Sequence, residues 1–200
     1  THHLRDSTNI IFIGDNGTAS SVCQWPDPQR SKGTVYEAGV HVPLIISGPA
    51  ISAPGRTSDA LASTTDLFAT ILEMTGISDW KSHIPAAKPV DAVSLLAILK
   101  NTKTAVRDWV ITEVFTNTPT SADAKAIRDT DFKLTRFDNG REEFYHLSAD
   151  PNEQNNLLQG TLSADARAHY QFLCRALSDL RAFPHCTSSV GTEILENAGA

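Results

Sequence analysis

The chain of 200 residues is 40% hydrophobic and 20% charged, a balance that permits a packed core and excludes a disordered or collagen-like polymer. Its formal net charge of -6 and pI near 5.6, with no Lys/Arg cluster, exclude a nucleic-acid binder, because neutralising phosphates needs a basic face. No apolar stretch approaches a membrane span; VPLIIS at 42–47 is strand-sized and interrupted by Pro43.

In chain order, THHLRDS lacks the basic end and apolar core of a cleavable leader and reads as the tail of a helix and a turn, so the chain is expected to begin inside a longer protein. Residues 9–13 of NIIFIGDNGT are expected to form a short, fully buried strand of a parallel sheet covered on both faces. A polar loop with the turn residues WPDPQRSKG leads to a second strand, VPLIISG, stopped at Gly48 and Pro49. In STTDLFATILEMTG, Leu67, Phe68, Ile71, Leu72 and Met74 follow helical spacing, Ser63 or Thr64 can cap the start and Gly76 stands where a helix ends. Strand, loop, strand, loop, helix is the order of an α/β domain.

Near residue 80 the character changes. SDWKSHIPAAKPVD reads as a surface linker and VSLLAILKNT as a short helix, which closes a first part at residues 1–104. Residues 105–200 then supply three β-leaning runs, WVITEVF, AIRDTDFKLTRF and EEFYHLS, whose short connections predict an antiparallel sheet. LSADARAHYQFLCRALSDLRAF places Leu162, Ala166, Tyr170, Leu173, Leu177 and Leu180 on one stripe, the pattern of an amphipathic helix packed on that sheet. The tail after Pro184 reads as loose. Cys23, Cys174 and Cys186 lack metal-cluster spacing; a Cys174–Cys186 disulfide and three separate thiols both remain open.

The candidate chemistry sits at the end of the first strand. Asp15 and Asn16 offer one charged and one neutral oxygen beyond the carboxyl end of a strand, where ligands of open α/β sheets collect. Such donors suit calcium or magnesium. The same tripeptide at Asp138, Asn139 and Gly140 reads as a turn alone.

Read as an ordered set, the DNG at the strand end, KGTVYEAGVHVPLIISGPA from Lys32, TTDLFATILEMTG, VDAVSLLAILK, and FKL with EEFYHLSADPNEQNNL resemble the C-terminal part of the sulfatase family, from Asn9 to Leu158. The resemblance implies the C-terminal part of an alkaline phosphatase-like α/β domain followed by a small antiparallel sheet subdomain. It aligns Asp15 and Asn16 with calcium ligands and Lys32 with the catalytic lysine that contacts sulfate, a compact point charge suited to a tetrahedral dianion. Glu37 and Gly39 keep two of the three positions of an E-G-G element, from which Ala38 departs; Glu37 is expected to orient the loop that carries Lys32. His41 stands where the family often has a basic residue beside its substrate. Asp66 is expected to be a first-turn acid, and Asp150, Glu153, Asn155 and Asn156 to be turn chemistry.

The family's nucleophile motif, C/S-x-P-x-R with its cysteine or serine oxidised to formylglycine, does not occur in this chain, and Cys23 fits it in neither spacing nor order. The remaining metal aspartates are also missing. Two ligands against the six to eight oxygens that calcium seeks predict weak binding and an inactive chain in isolation. The resemblance therefore implies a sulfuric ester hydrolase acting on a small-molecule or glycan sulfate, with the nucleophile on an N-terminal half of the same protein and a periplasmic, secreted or lysosomal setting. The alternatives are a phosphate or phosphonate ester metallohydrolase of the same superfamily and a non-catalytic anion-binding homologue.

Overall fold

The computed structural model of the protein describes residues 4–115, 120 and 123–180. Their contacts divide the chain into two compact units, one of residues 1–14 and 43–110, the other of residues 15–42 and 111–200.

In the first unit, β1 (Ile10–Ile13) pairs with β2 (Leu44–Ser47), Phe12 opposite Ile45 and Ile13 opposite Leu44. The pairing is antiparallel, not the parallel arrangement expected, because the chain loops out through residues 15–42 and returns along its own first strand. Nor is β1 fully buried: Ile10 and Phe12 are 64% and 57% exposed, and Ile45 on β2 is 60% exposed.

α2 (Asp66–Met74) forms where the spacing predicted it, and Gly76 at φ +90° lies just past its end. Its start differs from expectation. No hydroxyl caps the helix; instead the Asp66 carboxylate accepts from the backbone N–H of Ser63 and of Val93, and pairs with Arg107. A fully buried carboxylate needs such partners, so Asp66 ties the helix to the chain 27 residues later rather than only favouring its dipole. Ala69, Trp80 and Ala92 form the core beside it, Phe68 meeting Trp80 edge-to-face at 5.8 Å. α3 (Leu96–Leu99) is the predicted short helix, and Asn101 turns the chain at φ +57°.

The second unit contains the predicted antiparallel sheet, in order β3 (Val110–Val114), β4 (Ala124–Arg128), β5 (Phe132–Phe137) and β6 (Glu142–His146). The run AIRDTDFKLTRF is two strands rather than one. Asp129 breaks it: its Oδ1 accepts from the N–H of Asp131 and of Phe132, a turn held by a side chain in place of the ladder. The second DNG is the turn it was read to be, with Gly140 at φ +85° donating to the Phe137 carbonyl.

α4 (Ala164–Asp179) starts at Ser163, whose hydroxyl accepts from Ala166 N–H, and buries Ala166, Tyr170, Leu173 and Leu177 of the predicted stripe, with Cys174. It packs chiefly on β5. The tail after Pro184 and the second member of the Cys174–Cys186 pair lie outside the described residues; Cys23 is a free, half-buried thiol.

Candidate functional site

All five candidate residues, Asp15, Asn16, Lys32, Glu37 and His41, lie in the second unit. What joins them is backbone. Gly17 N–H donates to the Gly39 carbonyl at 2.9 Å, and Lys32 N–H donates to the Thr18 carbonyl at 2.9 Å. Glycine is required on both sides of the first contact. A Cβ on Gly17 would stand 2.0 Å from the Ala38 carbonyl oxygen, and one on Gly39 2.5 Å from that of Thr34. Gly17 therefore lets the segment after β1 lie against the Ala38–Gly39 backbone, whereas Gly39 lets the loop that carries Lys32 close on its own Ser31 and Thr34.

Asp15 and Asn16 are exposed. Asn16 N–H donates to Asp15 Oδ1 at 2.8 Å, and the Asn16 side-chain amide, turned so that its nitrogen faces Asp15, donates to the same oxygen. Two adjacent hard oxygen donors open to solvent fit calcium chemically. Among the described residues, no group of three or more His, Cys, Asp or Glu side chains could hold a metal. The pair can thus make only part of a calcium shell.

Lys32 is exposed on a tightly fixed loop. Ser31, buried beside it, donates from its hydroxyl to the Pro28 carbonyl at 2.6 Å, and its own carbonyl accepts from both the amide and the hydroxyl of Thr34. Gly33 at φ +89° makes the turn. Val35 and Tyr36 then enter a core with Ala124, Ala126, Phe137, Tyr145 and Leu147. The Tyr36 hydroxyl donates to Glu143 at 2.6 Å, and Arg30 stacks over the Tyr36 ring at 4.5 Å. The loop is anchored at both flanks, with Lys32 exposed between them.

Glu37 opens the short helix α1 (Glu37–Val40) and is 5% exposed. Its carboxylate meets Arg128 at 2.8 Å, Lys133 at 3.0 Å and His41 Nδ1 at 3.2 Å. Burial opposes its charge, but the hydrogen bond from His41 and the charges of Lys133 and Arg128 outweigh it and hold the carboxyl at about 2. The same hydrogen bond raises His41 against the burial that would lower it. His41 is 73% exposed at its side chain, so the segment presents a second group that is cationic when protonated, nine residues beyond Lys32.

Three contributors escaped the sequence reading. Lys133 and Arg128 lie on predicted strands, and nothing in their local pattern marks them as the partners of Glu37. Glu153 was assigned to turn chemistry, which its neighbours do supply: the Asp150 carboxylate accepts from Gln154 and Asn155 N–H, and Asn156 Oδ1 from Phe144 and Leu158 N–H. Glu153 itself is fully buried, accepts from Glu37 N–H at 2.6 Å and pairs with Lys133 at 2.9 Å. Its left-handed φ of +55°, unusual for a residue with a Cβ, is a further sign.

Residues 29–181 match the family model described as N-sulphoglucosamine sulphohydrolase, C-terminal. The chain is 30% identical over 159 residues to N-acetylglucosamine-6-O-sulfatase of Bacteroides thetaiotaomicron, an alignment covering 76% of this chain and 26% of that protein. A protein solved in complex with its substrate D-glucosamine-2-N,6-O-disulfate superposes with a TM-score of 0.68 at 25% identity, over 88% of this chain and 34% of that one. The phosphonate monoester hydrolase of Agrobacterium radiobacter shares the fold, with a TM-score of 0.65 at 23% identity, over 87% of this chain and 35% of that one. The chain thus spans between a quarter and a third of the length of the curated relatives it matches. With the motifs in family order and the matched segment running from the Lys32 loop through α4, the chain belongs to the sulfatase family, as a C-terminal portion.

Proposed function

We propose that this chain is part of an enzyme that hydrolyses sulfate esters, with a sulfated glycan or smaller sulfate as substrate. The observation that supports the reading is the pair of backbone bonds from Gly17 N–H to the Gly39 carbonyl and from Lys32 N–H to the Thr18 carbonyl, which join the segment directly after Asp15 and Asn16 to the loop that carries Lys32. Lys32 holds sulfate oxygens and offsets charge on the departing oxygen. His41, held by Glu37, adds a second contact to the anion. Asp15 and Asn16 supply two calcium ligands. Calcium, when bound, would add Lewis-acid charge, and a formylglycine on further polypeptide of the same protein would supply the nucleophile.

The same reading accounts for the open apolar face of β1 and β2. Phe12 and Ile45 are opposed across the strands with more than half of each exposed, the pattern of strands that other polypeptide covers. We assign that cover to the N-terminal part of the same protein. Export or lysosomal placement accords with the family. No helix among the described residues is long and apolar enough to cross a membrane.

The test is sulfate release from an aryl sulfate and a sulfated glucosamine by the full-length protein, before and after Lys32→Ala. The expected loss in kcat is about 100- to 1000-fold, the scale for one lost charge-stabilising donor. Wild-type activity in the variant would overturn the role of Lys32. The phosphonate hydrolase shares the fold, so the same preparation should be offered a phosphonate monoester and its metal measured. Zinc, with phosphonate turned over faster than sulfate, would replace the sulfatase reading.

A further inference from the structure

We propose that Glu153 is a positioning residue that clamps the Lys32 loop shut, an inference that rests on the function just proposed for Lys32. Glu153 grips the loop at two points. Its main-chain carbonyl accepts from the Arg30 guanidinium, and its carboxylate accepts from Glu37 N–H at 2.6 Å. Arg30 and Glu37 bracket Lys32, so one residue more than a hundred positions away fastens both ends of the segment that presents the ammonium group.

The surroundings leave that clamp little freedom. Glu153 is fully buried, and its second carboxylate oxygen lies 2.9 Å from Lys133 Nζ, which stands 3.0 Å from Glu37 on its other side. Lys133 is itself 2% exposed at its side chain. One buried ammonium thus joins the carboxylate that holds the loop to the carboxylate that the loop carries. A residue with a Cβ is held at φ +55° only where its surroundings over-determine it. Here the left-handed backbone accompanies a carbonyl and a carboxylate directed to the two ends of the same loop. A turn residue would need neither burial nor those partners; Asp150 and Asn156 already satisfy the turn.

The test is a double-mutant cycle in the full-length protein. Glu153→Ala is expected to lower kcat at least 10-fold with a smaller change in KM, while Glu153→Gln, which can still accept from Glu37 N–H, should retain more activity. In the Lys32→Ala background, Glu153→Ala should have almost no further effect, because a residue acting through Lys32 cannot act when Lys32 is gone. A merely structural contribution would lower activity by the same factor in both backgrounds, and that result overturns the proposal. If Glu153→Ala does not fold, Glu153→Gln and Glu153→Asp carry the same cycle.

Hydrogen exchange separates this proposal from the functional one. Faster exchange at residues 31–41 in the Glu153 variant, with β4 to β6 unchanged, is expected whether or not Lys32 binds sulfate. Unchanged exchange there refutes the clamp. A faster loop together with a Lys32→Ala protein as active as wild type would instead refute the role of Lys32 and keep the clamp as a loop anchor.

Discussion

β1 and β5 invert what their sequences advertise. β1, Ile-Ile-Phe-Ile, has two of its four side chains more than half exposed, whereas β5, which contains Lys133, Thr135 and Arg136, has all six residues buried. The difference lies in partners. Each buried charge of β5 has a fixed opposite: Lys133 sits between Glu37 and Glu153, and Arg136 reaches Glu142 through Nε at 2.9 Å and Nη2 at 2.8 Å. The apolar side chains of β1 face β2 across a two-stranded pair with one open face. Apolar composition states what a strand needs covered, and the structure decides whether anything in this chain covers it.

That contrast can be broken most severely at its charged end. Lys133→Met leaves Glu153 and Glu37 buried without their shared cation, and the loss should reach about 3–5 kcal/mol in urea unfolding, the scale for breaking a buried pair from one side. A loss under about 1 kcal/mol would mean that β5 is held by packing alone, as β1 would be.

Acid probes the same contact. The folded Glu37 carboxyl lies at about 2 against its ordinary 4.5, so its contribution is fully present above pH 4.5 and is lost as pH falls towards 2. Integrated over that window the linkage is at most about 3 kcal/mol. Glu153 opposes it. Burial raises its carboxyl despite Lys133, so protonating it as pH falls relieves a cost. That gain falls above pH 4.5, whereas the Glu37 contribution is lost below it, so Glu153→Gln should abolish the rise of an unfolding midpoint as pH falls towards 4.5 and leave the limb below 4.5 in place. A rise that persists in the variant would reverse the assignment of which carboxyl takes the proton first.

Gly17→Ala should cost about 1–3 kcal/mol, because the new Cβ would meet backbone atoms of Ala38 and Gly39 that must move. Proteolysis or hydrogen exchange should show the change at residues 15–18 and 36–41, with β1 itself unaffected. The smallest effect belongs to the open face. Phe12→Ser should shift the stability of the chain by itself by about 0.5 kcal/mol or less while reducing its self-association. In the full-length protein the same substitution should be far more costly, and equal effects in both would mean that nothing covers β1.

Much of this molecule could be read from residue order. The helices at 66–74 and 164–179 follow apolar spacing, and the second DNG turn follows its glycine. The motif order also proposes Asp15, Asn16, Lys32 and Glu37, and backbone bonds join the segment after the first pair to the loop that carries the other two. Legibility stopped at facts that need a partner. A short apolar run such as residues 10–13 carries no information on the direction of its neighbour, so the antiparallel pairing with β2 was missed. The Asp129 turn was missed because a β-leaning window averages over one side chain that bonds to the backbone. Lys133 reads only as part of a β-leaning run and Glu153 as turn chemistry, because neither has a local pattern that marks burial; their pairing spans 20 positions and appears only when β5 and the loop after β6 are folded together.

One consequence concerns anyone who would cut this protein in two. Residues 15–42 leave the first unit between β1 and β2 and pack with the second, so no single cleavage point yields two intact pieces. A truncation at residue 104 would keep Val35, Tyr36 and Glu37 yet discard Ala126, Tyr145 and Lys133, against which they pack or pair. Such a fragment would leave the Glu37 carboxylate with His41 alone of its three partners, beside unsheltered aromatic surface, and its insolubility would report the interleaving of the chain rather than any defect of the first unit.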